Sequence, residues 1–324
     1  MARVAVTCSG GFIGAYLTRR LVADGHDVLA LDNFLRGRPE RLVELEGQAR
    51  IVNADVRDKE QLVQLFAGLD AVLHLAAVNG TENFYNHPDL VLDVGVKGAL
   101  AVSEACIEAK VPALVVASSA EVYQTPAIVP TDESVPLLIP NTLNPRYSYG
   151  GSKLISELIA FNYCRDKLDK VQVFRPHNVY GPDMGWKHVI PQLVAKIAAA
   201  VKDGSRRIEL QGDGSETRAF CFVDDIVDGI VTMWERGETM NVYHIGSMEE
   251  VTIRQLVDLI AAAMNADIEI VSGPAAEGGT PRRCPDTAKL GALGYQPKVS
   301  LEEGIRRTVA WYIDHAPDGA NALL

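Results

Sequence analysis

The opening stretch, Val4 to Asp32, limits the fold more than any other part of the chain. Val4-Ala5-Val6-Thr7 is a short apolar run that reads as a buried strand. Ser9-Gly10-Gly11-Phe12-Ile13-Gly14 follows, then a helical pattern with Leu17, Leu21 and Val22 set between Arg19, Arg20 and Asp24. A second apolar run, Val28-Leu29-Ala30-Leu31, ends at Asp32. Strand, glycine-rich turn, helix, strand, then an acid about 20 residues past the glycines is the spacing of a dinucleotide-binding βαβ unit. The glycines let the backbone approach a pyrophosphate at a helix N-terminus, where amide N–H groups lack intrahelical partners. Asp32 can accept hydrogen bonds from an adenosine ribose, and its charge repels a 2′-phosphate, which points to NAD rather than NADP. For the glycines alone, a tight turn without a ligand is the plain alternative.

The alternation continues downstream. Arg50-Ile51-Val52 leads to Asp55-Val56-Arg57-Asp58 and a helix over roughly 59–67. Ala71-Val72-Leu73-His74-Leu75 ends in Ala76-Ala77, a long helix is expected over 88–109, and Ala113-Leu114-Val115-Val116 ends in Ala117-Ser118-Ser119. Apolar strands alternating with helices predict an α/β fold, a Rossmann-like doubly wound parallel sheet covered on both faces. Ligands of such sheets bind beyond the carboxyl ends of the strands, where Asp32, Asp55, Ala76 and Ser119 all fall. After the next strand, Val171 to Arg175, the alternation loosens. Helices are expected at 188–202, 224–236, 252–264 and 300–313, short strands near 207–211, 241–245 and 268–272, and a loop over 273–287. The expected organisation is an NAD-binding Rossmann domain over 1–175. Residues 176–324 form a smaller C-terminal α/β substrate-binding cap, with some chain returning to the core sheet.

The chain has 324 residues, enough to bury a sizeable core. Its formal net charge of −11, with no Lys/Arg cluster, argues against a nucleic-acid or anionic-membrane partner. Cys8, Cys106, Cys164, Cys221 and Cys284 are scattered and odd in number, so neither a disulfide framework nor a metal site is expected and a reducing cytoplasm is. No apolar run reaches membrane-spanning length, and Met1 leads into a strand rather than a signal peptide.

Tyr149-Gly150-Gly151-Ser152-Lys153 opens an apolar, helix-like segment. Residues four apart on a helix share a face. A phenol and an ammonium held this way can act as one unit, the cation drawing the phenol pKa toward neutrality and creating a base for an alcohol hydroxyl. The same spacing also occurs on solvated helices that do no chemistry.

These stretches, taken together, resemble the extended short-chain dehydrogenase/reductase family, specifically its nucleotide-sugar epimerases, dehydratases and decarboxylases. The likeness runs in order through Thr7 to Gly14, Asp32-Asn33-Phe34, Asp55-Val56, Ser118 to Tyr123 and Tyr149 to Lys153. It continues through Arg175 to Pro182, Arg218-Ala219-Phe220, Arg283 to Asp286 and Leu293 to Gly304, and so covers essentially the whole chain. It implies an NAD-dependent epimerase acting on a nucleotide-diphosphate sugar through a transient 4-keto intermediate, with no net redox. A 4,6-dehydratase, a uronic-acid decarboxylase or a ketoreductase with exchangeable NAD(H) are the alternatives. The resemblance makes Tyr149 the base, has Lys153 bind the nicotinamide ribose and tune Tyr149, and has Ser119 bind the same hydroxyl. It assigns the cofactor to Gly10, Gly11, Phe12, Ile13, Gly14, Asp32, Asn33, Asp55, Val56, Ala76, Ala77 and Pro176 beside Tyr149 and Lys153. It assigns the substrate to Thr81, Ser119, Asn178, Val189, Arg218 and Arg283. The bland alternatives are an ion pair of Arg218 with Asp224 or Asp225, a solvated loop charge at Arg283, and a turn cap at Asn178.

Glu121 lies two residues past Ser119, so on an extended stretch both side chains point the same way. By the resemblance it is a fourth catalytic residue, its carboxylate handling a proton next to the transient ketone. The alternative is a simple pairing with a nearby cation. Ala120, where dehydratases of the deoxythymidine-diphosphate-glucose type carry an acid, weakens the dehydratase reading. Two departures from the family pattern stand out. Cys8 replaces the first glycine of the turn, so weaker cofactor binding or a rotated turn is expected. Gly95 replaces an asparagine near the tyrosine, so whatever that amide orders is ordered otherwise here. Asn79 to Tyr85 borders the expected sugar site. The helices near 88–109 and 147–165 carry excess apolar surface, and family members pair through them, so a homodimer is expected.

Overall fold

A computed structural model describes residues 1–274 and 281–315. Part of the loop expected over 273–287, and the end of the cap expected to reach 324, lie outside the described residues. Six strands follow one another through the first half: β1 (Arg3–Thr7), β2 (Asp27–Asp32), β3 (Arg50–Asn53), β4 (Ala71–His74), β5 (Ala113–Ala117) and β6 (Lys170–Pro176). A seventh, Asn241–Ile245, joins them, giving the order Asn241–Ile245, β6, β5, β4, β1, β2, β3. Every pairing in this sheet is parallel. The order reverses between β1 and β4, and a crevice opens at such a point beyond the strand ends.

Side chains alternate across the sheet, as strand geometry requires. Val4 and Val6 of β1 join the core of one face, where the Phe12–Ala23 helix brings Leu17 and Leu21 and the Val223–Arg236 helix brings Ile226 and Ile230. Ala5 faces the opposite core with Leu62, Phe66, Val102 and Ala160 from the helices Lys59–Phe66, Gly98–Glu108 and Ser148–Tyr163. Burying each of these large side chains stabilises the fold by roughly 1.5–3 kcal/mol. The strand ends are thereby fixed, and with them the rim of the crevice.

The long helix expected over 88–109 is interrupted. Pro88–Leu92 and Gly98–Glu108 flank a π-helical turn, Asp93–Lys97. Gly95 sits in that turn against the Ser148–Tyr163 helix, where a Cβ would come within 2.7 Å of the Ser152 side chain. The Ser156 hydroxyl donates to the Gly95 carbonyl at 3.1 Å. The place of the expected amide is thus taken by two serines of the neighbouring helix. The widened turn lets the two helices close on one another.

The second half builds a core of its own, with Ile190, Leu193 and Ile197 packed on Leu256, Ile260, Ile305 and Val309. Its helices, Val189–Lys202, Val223–Arg236, Ile253–Ala263 and Leu301–Asp314, lie where the apolar periodicity predicts them. A small mixed sheet orders Glu250–Thr252, Thr217–Ala219 and Arg282–Arg283. Among the described residues no helix is long and apolar enough to cross a membrane.

Candidate active site

The glycine-rich turn lies between β1 and the Phe12–Ala23 helix, whose first turn carries Phe12, Ile13 and Gly14. A side chain at Gly14 would collide with the Cys8 carbonyl, so the close approach there requires glycine. Cys8 adopts a left-handed backbone, at φ +59°. A side-chain-bearing residue in this region is strained, at a cost of about 1–2 kcal/mol. Burial pushes the Cys8 thiol up to about 11, with the Asp32 carboxylate acting in the same direction.

Asp32 closes β2, and its carboxylate accepts from Gly10 N at 2.9 Å and Phe34 N at 2.8 Å. Burial raises its pKa and those amides counter the effect. Val56, Ala76 and Val94 complete a cleft with Cys8, Asp32 and Arg36. Ala77 follows Ala76 beyond β4, and Pro176 ends β6. Asn33 Nδ2 donates to Asp55 at 3.0 Å, and the Arg57 guanidinium, forked onto the same carboxylate, holds Asp55 well below the usual carboxylate range. A turn without side chains, a helix N-terminus and a ribose-height carboxylate in one apolar cleft fit a dinucleotide.

Sequence patterns missed several residues around this cleft. Arg36, four residues past Asp32, reaches across the rim to the Asn79 carbonyl. Arg41 donates to Gly10 O at 3.0 Å, to the Asp183 carboxylate at 2.6 Å and to Asp183 O at 2.6 Å. Arg38 also pairs with Asp183. The dinucleotide turn is thus fastened to a loop of the second half. No sequence pattern joins Arg38 and Arg41 to Asp183, more than 140 residues away.

Tyr149 and Lys153 sit one turn apart on the Ser148–Tyr163 helix, both buried. The Tyr149 ring stacks on Phe84 at 5.3 Å, and its hydroxyl bonds Ser119. The expectation that Lys153 draws the phenol toward neutrality is corrected here. Burial pushes Tyr149 up to about 12, with the Ser119 hydrogen bond pulling the other way. The Lys153 ammonium instead donates to Ala117 O at 2.7 Å and lies 5.9 Å from the ring centre. Burial brings Lys153 itself down to about 8.

Ser119 caps a 3-10 turn, Ala120–Val122, and accepts from Glu121 N at 3.2 Å. The extended stretch expected between Ser119 and Glu121 is therefore absent, because this cap folds the chain back. Glu121 pairs with Arg283 at 2.5 Å, and its charge still acts on Tyr149. Arg283 is accordingly no solvated loop charge. On the small sheet Arg283 and Arg218 are register partners, which sets two guanidinium-bearing residues side by side. Arg218 donates to Thr217 O at 2.7 Å and does not pair with Asp224, which binds Arg307, or with Asp225, which caps Lys298 N and Val299 N. Asn178, at φ +36°, donates to Ala219 O at 2.9 Å, so its amide is engaged as a turn tie. Thr81 and Val189 are exposed, each at the start of a helix.

The model of the NAD dependent epimerase/dehydratase family matches residues 4–246. The chain belongs to that family. Within it, the chain is 35% identical to the UDP-glucose 4-epimerase of Mycolicibacterium smegmatis, covering 96% of this chain and 98% of that one. It is 30% identical to UDP-glucuronic acid decarboxylase 1 of Danio rerio, covering 98% of this chain and 74% of that protein. The dTDP-glucose 4,6-dehydratase of Streptomyces venezuelae, solved with NAD bound, superposes with a TM-score of 0.84 at 30% identity over 97% of each chain. As a member of the epimerase/dehydratase family, this chain is an enzyme with a Rossmann-like fold and NAD as its cofactor.

Proposed function

We propose that this enzyme epimerises a nucleotide-diphosphate sugar at C4 through a transient ketone. The observation that carries the reading is the pairing of Arg218 with Arg283 on adjacent strands, beside Glu121 and Tyr149. Two guanidinium groups side by side match a diphosphate bidentately. Asn178, Thr81 and Val189 are assigned to the substrate with them. The 1–175 segment serves as the cofactor half and the remainder mainly as the cap.

The turn of Gly10, Gly11, Phe12, Ile13 and Gly14 would hold the NAD diphosphate on its amides, and Asp32 would hold the adenosine ribose. Asn33, Asp55, Val56, Ala76, Ala77 and Pro176 would line the rest of the cofactor. Bound there, NAD would supply a reversible hydride acceptor for the sugar carbon. Tyr149 takes the hydroxyl proton, and Ser119 orients that hydroxyl. Lys153, brought down to about 8 by burial, would hold the nicotinamide ribose in its charged form. Its nearness to Ala117 O keeps it aimed at the crevice floor.

Incubating the purified enzyme with UDP-glucose and UDP-galactose, and following products by NMR, tests this. The expected result is interconversion without accumulated NADH; steady NADH formation would indicate a ketoreductase instead. Glu121, held by Arg283, favours a second reading, decarboxylation of a nucleotide uronic acid, since a carboxylate there can relay a proton at C5. Carbon dioxide released from UDP-glucuronate would favour it.

The surroundings belong to the same proposal. Leu92, Ile155, Leu158 and Tyr163 are exposed on the Pro88–Glu108 and Ser148–Tyr163 segments and supply an apolar face for a homodimer. Sedimentation as a monomer at micromolar concentration would remove that expectation. Free cysteines throughout the chain support a cytoplasmic setting, and the chemistry supports a place in carbohydrate biosynthesis.

A further inference from the structure

Tyr149, Lys153 and Glu157 follow one another at intervals of four along one face of the Ser148–Tyr163 helix. Opposite them runs the end of β5, Ala117-Ser118-Ser119. Each residue there is held by one side chain of the helix. The Lys153 ammonium donates to Ala117 O at 2.7 Å. The Ser118 hydroxyl donates to Glu157 Oε1. The Ser119 hydroxyl is bonded to Tyr149. Since Ser119 Oγ already accepts from Glu121 N at 3.2 Å, its own proton is free for the phenol oxygen.

Glu157 and Ser118 touch neither the cleft nor the reacting groups, and both are buried. Arg175 forks onto the same carboxylate, Nε to Oε1 at 2.8 Å and Nη2 to Oε2 at 2.6 Å. Its remaining arm donates to the Tyr123 hydroxyl, and Tyr123 ends the turn that carries Glu121. The direction of the next bonds follows from chemistry. His244 Nδ1 faces the Asp286 carbonyl at 3.2 Å, which can only accept, so Nδ1 carries the proton. His244 Nε2 therefore accepts from the Tyr123 hydroxyl at 2.7 Å. Burial keeps His244 neutral, down at about 4, as this arrangement requires. One chain of hydrogen bonds thus runs from Ser118 through Glu157, Arg175, Tyr123 and His244 to Asp286, three residues past Arg283.

We infer that Glu157 is a positioning residue that, through Ser118 and Arg175, sets Ser119 against Tyr149 and fixes the turn bearing Glu121. A helix and a strand end tied by a single hydrogen bond at Ser119 could slide against each other. Three ties at successive residues remove that freedom, and the buried fork gives the last tie a fixed length and direction. Small misplacements at a reacting hydroxyl are costly to rate, so the effect belongs in kcat rather than in KM.

Two variants test this, Glu157→Gln and Ser118→Ala. Removing Glu157 leaves Arg175 buried without its carboxylate, so Glu157→Gln can fail to fold. Ser118→Ala deletes only one hydroxyl and carries the decision in that case. Protein labelled with 3-fluorotyrosine gives a ¹⁹F resonance for position 149, assigned by its loss in Tyr149→Phe. This readout needs no substrate. The expected result is a displaced or broadened Tyr149 resonance in folded Ser118→Ala. A Tyr149 resonance left in place there overturns the inference, whatever happens to turnover. The kinetic arm rests on the nucleotide-sugar reading: kcat is expected to fall about tenfold with KM unchanged within about twofold. A wild-type enzyme that turns over no nucleotide sugar would sink that reading, while the resonance would still decide the role of Glu157.

Discussion

The two walls of the site are built differently. The crevice wall comes from consecutive strand ends of one parallel sheet, where Asp32, Ala76, Ser119 and Pro176 arrive by topology alone. The cap wall is assembled from distant short strands and loops, where Arg218 meets Arg283 only because Thr217–Ala219 and Arg282–Arg283 pair in register. The first wall has little room to vary without breaking the core. On the proposed function, reaction chemistry would fall on the first wall and substrate choice on the second.

The sharpest way to break this division is Tyr149→Phe. Turnover should fall about 10²–10⁴-fold while NAD affinity, measured by fluorescence titration, barely changes. A comparable loss of NAD binding would mean the crevice wall does not separate chemistry from cofactor. Next is Arg283→Ala, which removes one of the paired guanidiniums. Substrate affinity by calorimetry should weaken about tenfold to hundredfold with little change in melting temperature. If the protein unfolds instead, the cap wall is structural rather than adaptable.

Asp183→Ala frees Arg41 and Arg38 from the carboxylate that ties the dinucleotide turn to the second half, and should raise the NAD dissociation rate about tenfold, read by stopped-flow displacement. A similar span is expected from pH. Burial lowers Lys153 from 10.5 to about 8. Below about 8 both folded and unfolded lysine hold the proton, so the full burial cost is present. Between about 8 and 10.5 only the unfolded form holds it, so this residue makes the fold more stable as pH rises. Its charge runs the opposite way, and kcat should fall as pH rises through about 8; Lys153→Met should lack that limb. The smallest effect is expected at the turn. Cys8→Gly relieves a left-handed residue and removes a thiol beside Gly11, so NAD affinity should improve about threefold in the same titration.

The parts legible beforehand were those with a local period. Alternating apolar runs predicted β1 to β6 and the later helices, and spacing by four placed Tyr149 beside Lys153. What escaped depended on tertiary contact. The glycine in the π turn is required because Ser152 fills the space where a Cβ would sit. The fold-back after Ser119 depends on its own cap. The high pKa of Tyr149 comes from burial, which no spacing of four can report. Pairings such as Glu121 with Arg283, or Arg41 with Asp183, join segments with no shared pattern.

The Arg41–Asp183 fastening reaches beyond catalysis. It joins the dinucleotide turn to the second half of the chain from outside the cleft. A nucleotide seated beneath it becomes part of the folded body, and its binding free energy adds to the melting temperature. The enzyme should therefore emerge from purification already loaded, survive dialysis in that state, and mature poorly in cells starved of nicotinamide.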